Sequence, residues 1–248
     1  MLRREWKRDL DSSLTLVGMP ALRDDDVRLA WYADVLDPES DSLCESAVSE
    51  DSIGFGDVAR GFLALVGSTM PTDDSREVRG LMGDMMYALD ATKRCAAERR
   101  VGAVIAAAQR EKRPVIVIAY SLGSLVTYGY LRTAEPQPRT GDLRLVTVGS
   151  PLGVQVIREI VFGDTARMLR LPPTVAAVEN VYDPSDFLSA PLEGVLSAPS
   201  VRDDATHAGE RDDPHNFTRY LRDRATGAAV MRALCASSRD EYPACASR

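Results

Sequence analysis

Histidine is almost missing from this chain. Only His207 and His215 occur among 248 residues, so any histidine-dependent chemistry has two candidates. Cysteine is scarce as well: Cys44, Cys95, Cys235 and Cys245 are scattered and form no CxxC pair. Such spacing fits reduced thiols in a cytoplasm better than a disulfide framework or a zinc site, with Cys235 and Cys245 alone close enough in sequence to suggest a pair. No apolar run approaches the ~18 residues of a spanning helix. The charged opening MLRREWKRDL has none of the apolar centre of a secretory leader. Nor is there a basic excess: 30 Lys and Arg stand against 37 Asp and Glu, a net charge of −7. That balance argues against nucleic acid and against anionic membrane surfaces as partners.

Hydrophobic residues make up 45% of the chain, enough for a sizeable core, and the length suits a single α/β domain over residues 1–248. Trp6, Leu10, Leu14 and Val17 fall on one face of a helix that Gly18 and Pro20 stop. Alternation in VRLAWYADVL predicts a strand over 27–36. Residues 37–76 read as loop and a candidate cap, with GFLALVGSTM its most apolar part. From 77 to 112 the pattern predicts two helices broken near Cys95 to Arg100. Val115 to Ala119 is a short, fully apolar strand of the kind buried on both faces of a parallel sheet, and residues 142–150 and 174–183 read as further strands. Residues 122–132 and 155–162 read as helices, 183–215 as loop, 216–236 as one or two helices, and 237–248 as a frayed tail. Helices alternating with buried strands predict an α/β fold with a mostly parallel central sheet and helices on both faces.

The strand Val115 to Ala119 runs straight into Tyr120-Ser121-Leu122-Gly123 and then into a helix. A serine hydroxyl is a poor nucleophile unless it is exposed, next to a base, and near donors for a developing oxyanion. A sharp strand-to-helix turn meets these needs. It lifts the side chain off the sheet and aims the first N–H groups of the helix at the reacting oxygen. The turn is tight, so the residues two before and two after the serine must be small, as Ala119 and Gly123 are.

These residues carry a resemblance. VIVIAYSLGSLVTYGYL followed by LRLVTVGSPLG resembles the lipases and esterases of the α/β-hydrolase superfamily, and the likeness extends loosely through VENVYDPSDFLSAP to DPHNFTRYL. Ala119 stands where that family often has glycine, and Tyr120 where it usually has histidine. The resemblance implies an α/β-hydrolase fold, a serine ester hydrolase, and a triad in the order serine, acid, histidine. Ser121 is then the nucleophile. His215 is the favoured base, because it directly precedes the amphipathic pattern of Phe217, Tyr220 and Leu221, with His207 the alternate. Asp186 is the favoured acid, and Asp183, whose Asp-Pro pair suits a turn, the alternate. Ser150 is either a lining residue or a turn residue. No metal or organic cofactor is implied. The expected partner is a small-molecule or lipid-like ester.

One part is missing. The backbone N–H of Leu122 supplies one oxyanion donor, but the family's second donor follows an apolar strand upstream. LTLVGMP, 14–20, leaves only ALRDDD before residue 27, whereas a parallel crossover needs about 10–12 residues. The expectation is that this oxyanion strand is absent, through a late chain start or through loss. That leaves two further possibilities: a hydrolase-fold scaffold or partner-binding protein with impaired catalysis, and an acyltransferase using the same triad.

Overall fold

The structure, a computed structural model, describes residues 2–37, 40, 44, 87–88, 90–134, 143–163, 168–197, 200–208, 213–238 and 242–246. Most of the candidate cap at 37–76 lies outside the described residues.

Four strands form one sheet: β1 (Val115–Tyr120), β2 (Leu143–Val148), β4 (Val175–Tyr182) and β6 (Val201–Ala205), in the order β1-β2-β4-β6. All three pairings are parallel, with Tyr120 opposite Val148 and Val148 opposite Val181. A separate two-stranded ribbon joins β3 (Leu169–Arg170) to β5 (Leu196–Ser197). The helices are α1 (Leu2–Thr15), α2 (Ala91–Gln109), α3 (Leu122–Thr133), α4 (Gln155–Phe162), α5 (Phe217–Arg222), α6 (Arg224–Ser237) and α7 (Pro243–Ala246).

The period of two along the strands splits the core into two halves. Val117, Ala119, Leu143, Leu145 and Val178 pack with α2, α3 and α4. Ile116, Ile118, Tyr120, Val146, Val148 and Val181 pack with α1, α5 and α6. The sheet is therefore covered by helices on both faces, which is why β1 reads as an unbroken apolar run and β2 and β4 as mostly apolar ones. Helices α1 and α6 cross closely at Gly227, where a Cβ would lie 2.1 Å from the Ser13 carbonyl oxygen, so only glycine fits there.

Several expectations need correction. Residues 27–36 do not form a strand: 27–32 join no sheet, and the chain then turns, with Val35 N–H bonding the Tyr32 carbonyl. Alternation supplies a strand-like face, but a strand also needs a neighbour to bond. The break expected near Cys95 to Arg100 does not occur, because α2 runs through it. Asp90 caps that helix by accepting from the N–H groups of Thr92 and Lys93, and Ala97, Val101 and Ile105 form its buried stripe. Within 183–215, read as loop, β6 completes the sheet. In the tail, α7 is tied to α6 by a disulfide between Cys235 and Cys245, and a second disulfide joins Cys44 to Cys95. The reduced thiols expected from the scattered spacing, on which the cytoplasmic expectation rested, are thus replaced by two bonds, of which only Cys235–Cys245 was suggested by the sequence. Among the described residues, no helix is long and apolar enough to cross a membrane.

At its outer edge β1 has no strand beside it among the described residues. A cavity of about 310 Å³ runs along that edge, between Trp6 and Leu10 of α1 on one side and Val101 and Ile105 of α2 on the other. Among the described residues no strand lies at this edge.

Candidate active site

Ser121 sits between the last residue of β1 and the first of α3, with φ 49° and ψ −129°. Few non-glycine residues tolerate this region, and such strain persists only where surrounding bonds over-determine it. Here they do. The Ser121 N–H donates to the Val148 carbonyl at 3.0 Å, and its own carbonyl accepts from Ser124 N–H at 2.9 Å and from Ser124 Oγ at 2.6 Å. Ser124 Oγ also bonds Ser150 Oγ at 2.7 Å. Ser150 is fully buried and accepts from Leu152 N–H, so it braces the elbow from the end of β2 and is a structural turn residue. At Gly123 an added Cβ would come within 3.3 Å of the Tyr32 hydroxyl, the tight spot a small residue serves.

The structure brings together Ser121, Asp186 and His215. His215 Nε2 lies 2.7 Å from Ser121 Oγ, and its Nδ1 lies 2.6 Å from Asp186 Oδ2. An ionised carboxylate can only accept, so Nδ1 carries the proton and Nε2 is left as the acceptor for the serine hydroxyl. Asp186 is buried, and its other oxygen accepts from Leu188 N–H at 3.0 Å. His215 stands directly before Asn216, whose side chain caps α5 by accepting from Arg219 N–H, so the ring leaves a fixed helix start.

The two alternates lie elsewhere. Asp183 is buried, with Oδ1 accepting from Ser185 N–H and Oγ, as an Asp-Pro turn requires. His207 stands 3.9 Å from that carboxylate with its side chain 87% exposed, against 20% for His215. They form a second, looser pair that does not join the serine.

Two tyrosines also contact these residues, although the sequence assigned them only packing positions: Tyr220 on the amphipathic face after His215 and Tyr120 beside the nucleophile. Tyr220, on α5, is fully buried and donates to Asp186 Oδ2 at 2.9 Å. Burial pushes its hydroxyl well above the ordinary phenol range, and the Asp186 charge adds to this against a hydrogen bond with Ser189. Tyr120 donates to the His215 carbonyl. Its ring stacks on the imidazole, with centroids 5.1 Å apart and planes 30° apart. Neither contact has a local signal, since the partners lie 34 and 95 residues apart.

The N–H of Leu122 opens α3 and, like any first-turn amide, has no partner within its helix. It is free to hold an oxyanion formed at Ser121. No strand flanks β1 on the side from which a second donor was expected, among the described residues. No protein-family model matches the chain, and no curated protein or solved structure matches it either.

Proposed function

We propose that the chain is a serine hydrolase of the α/β-hydrolase type that cleaves carboxylic esters through an acyl-enzyme. The observation that carries this is the continuous relay from Asp186 through His215 to Ser121, at 2.6 and 2.7 Å, ending on a serine held at a strained backbone angle. Ser121 Oγ attacks the acyl carbonyl while His215 Nε2 takes its proton. Asp186 holds the ring in the required tautomer and stabilises the imidazolium. His215 then returns the proton to the departing alcohol. The Leu122 N–H bonds the oxyanion of each tetrahedral intermediate, and water attacking the acyl-enzyme repeats the steps in reverse.

A fluorophosphonate probe tests the assignment, because it phosphonylates only an activated serine. The purified chain should be labelled, and Ser121→Ala should abolish the label. A folded chain that takes none would favour a second reading. Among the described residues no strand lies at the outer edge of β1, and this favours that reading: a hydrolase-like scaffold that binds a partner and lacks enough oxyanion stabilisation to turn over. Loss of one oxyanion donor costs about 10²–10³ in kcat.

A further inference from the structure

The geometry points to Tyr220 and Tyr120 as positioning residues that hold the acid–base pair from two sides: Tyr220 sets the Asp186 carboxylate and Tyr120 sets the His215 ring. This rests on the proposed role of Ser121, Asp186 and His215.

Tyr220 has one hydroxyl proton to give, and its surroundings decide where it goes. The N–H of Asp183 donates to its oxygen at 3.0 Å. Ser189 Oγ lies 3.1 Å away but has the carbonyls of Asp183 and Asp186 as outlets for its own proton. An ionised carboxylate is a stronger acceptor than a hydroxyl, so the Tyr220 proton goes to Asp186 Oδ2. That oxygen therefore receives two donors, Tyr220 and His215 Nδ1–H, while Oδ1 receives Leu188 N–H. Three donors, one from its own turn, one from α5 and one from the residue before the cap of α5, fix both the position and the plane of the carboxylate.

Tyr120 works on the base. It directly precedes the nucleophile, so its hydroxyl ties the backbone of His215 to the strand that carries Ser121. Its ring lies against the imidazole on one side and meets Phe217 edge-on at 4.9 Å on the other. Gly149, at φ +57°, makes the room. A Cβ there would stand 3.2 Å from both tyrosine rings and 3.4 Å from His215 Cε1. The imidazole thus sits in a socket formed by the ends of β1 and β2 and by α5. The titratable groups in contact with it are Asp186, Tyr120 and Tyr220; Asp183 and His207 lie against each other, and Asp213 accepts from the Asn216 side chain next to it.

The socket also tunes the charge on the acid. The Tyr220 hydrogen bond draws negative charge away from the oxygen that stabilises the imidazolium. Without it the carboxylate holds the ring proton more strongly, although less well oriented.

The test uses the full chain, its Tyr220→Phe and Tyr120→Phe variants, and the rate of fluorophosphonate labelling from pH 5 to 9. Both variants keep the ring and lose only the hydroxyl. Tyr220→Phe should label about tenfold more slowly at its optimum, the scale of a small misplacement of a reacting group. The acid limb of its profile should move to higher pH, which a purely structural role would not do. Tyr120→Phe should slow labelling without moving the limb. A readout independent of reactivity is the downfield proton resonance of the His215 Nδ1–H. It should shift or broaden in Tyr220→Phe and persist in His207→Ala. If Tyr220→Phe leaves the resonance and the limb where they were, the positioning role is wrong. If the unaltered chain takes no label yet the resonance responds to Tyr220→Phe, the socket stands and the hydrolase assignment falls.

Discussion

His215 Nε2 lies 2.7 Å from Ser121 Oγ, joining residues 94 positions apart in the chain. In the proposed mechanism the two act as one unit, so single losses should be nearly as severe as joint ones. With p-nitrophenyl butyrate as the ester, Ser121→Ala and His215→Ala should each lower turnover by roughly 10⁴–10⁶-fold, and the double variant should be little worse. Asp186→Asn should cost about 10⁴-fold through the wrong tautomer. Asp183→Asn and His207→Ala should keep most of the activity. An inactive His207→Ala beside an active His215→Ala would invert the assignment.

Strain at Ser121 has its own signature. A non-glycine residue at φ 49° and ψ −129° stores about 1–3 kcal/mol that glycine would not. Part of that gain is offset by the greater freedom of glycine in the unfolded chain. Ser121→Gly should therefore be more stable than Ser121→Ala by about 1 kcal/mol, or roughly 2–4 °C in Tm for a chain of this size. Both variants lack the nucleophile, so a thermal melt of the two isolates the backbone effect. Equal melting temperatures would mean that the elbow is relaxed.

What the sequence made legible, and what it hid, follows from how each feature is encoded. Val115–Tyr120 announces itself because burial on both faces demands an unbroken apolar run, and Leu143–Val148 and Val175–Tyr182 remain legible because they are mostly apolar. The edge strand Val201–Ala205 carries Arg202, Asp203 and Asp204. Asp203 is there to accept from Asn180 and from the N–H groups of Leu192 and Glu193, a use no local pattern signals. Residues 27–32 show the opposite error, since alternation without a neighbour is not a strand. Ser121 is legible because its turn limits residue size nearby. Tyr220 is not, since its buried spacing with Leu221 looks like ordinary core. The Cys44–Cys95 bond spans 51 residues and has no signature along the chain.

Glu98 gives a pH prediction. Burial raises its carboxyl above the ordinary value of 4.5, against the lowering effects of the Tyr87 hydrogen bond and of Arg94 and Arg132. Tyr87 donates to it at 2.8 Å. A raised folded-state value in an acid means that the fold prefers the protonated form. As pH climbs from below 4.5 through that raised value, the folded chain holds more protons than the unfolded one, and stability falls. Glu98→Gln can still accept from Tyr87 and does not titrate. Its stability advantage in urea melts should grow with pH over that window and then level off. An advantage that shrinks with rising pH would show that the charged form is the one stabilised.

The two disulfides make the final prediction, and they bear on where the chain can work. Closing loops of separation 10 and 51 restricts the unfolded chain by about 2.7 and about 4.1 kcal/mol in the chain-entropy treatment, values that measured bonds often undershoot. Cys235–Cys245 fastens α7 to α6, which packs against α1. Cys44–Cys95 anchors Cys44 near the N-terminal end of α2. Neither bond touches Ser121, Asp186 or His215, so reduction should act on stability before chemistry. Denatured without reductant, protein produced under oxidising conditions should take up no thiol-alkylating reagent, and four equivalents after reduction. Reductant should lower Tm by several degrees while fluorophosphonate labelling at low temperature keeps its rate. Of the two bonds, removal of Cys44–Cys95 through Cys44→Ser with Cys95→Ser should cost more, because it closes the longer loop. Four free thiols in native protein from an oxidising compartment would overturn the pairing and restore the reduced state expected from the spacing of the cysteines alone.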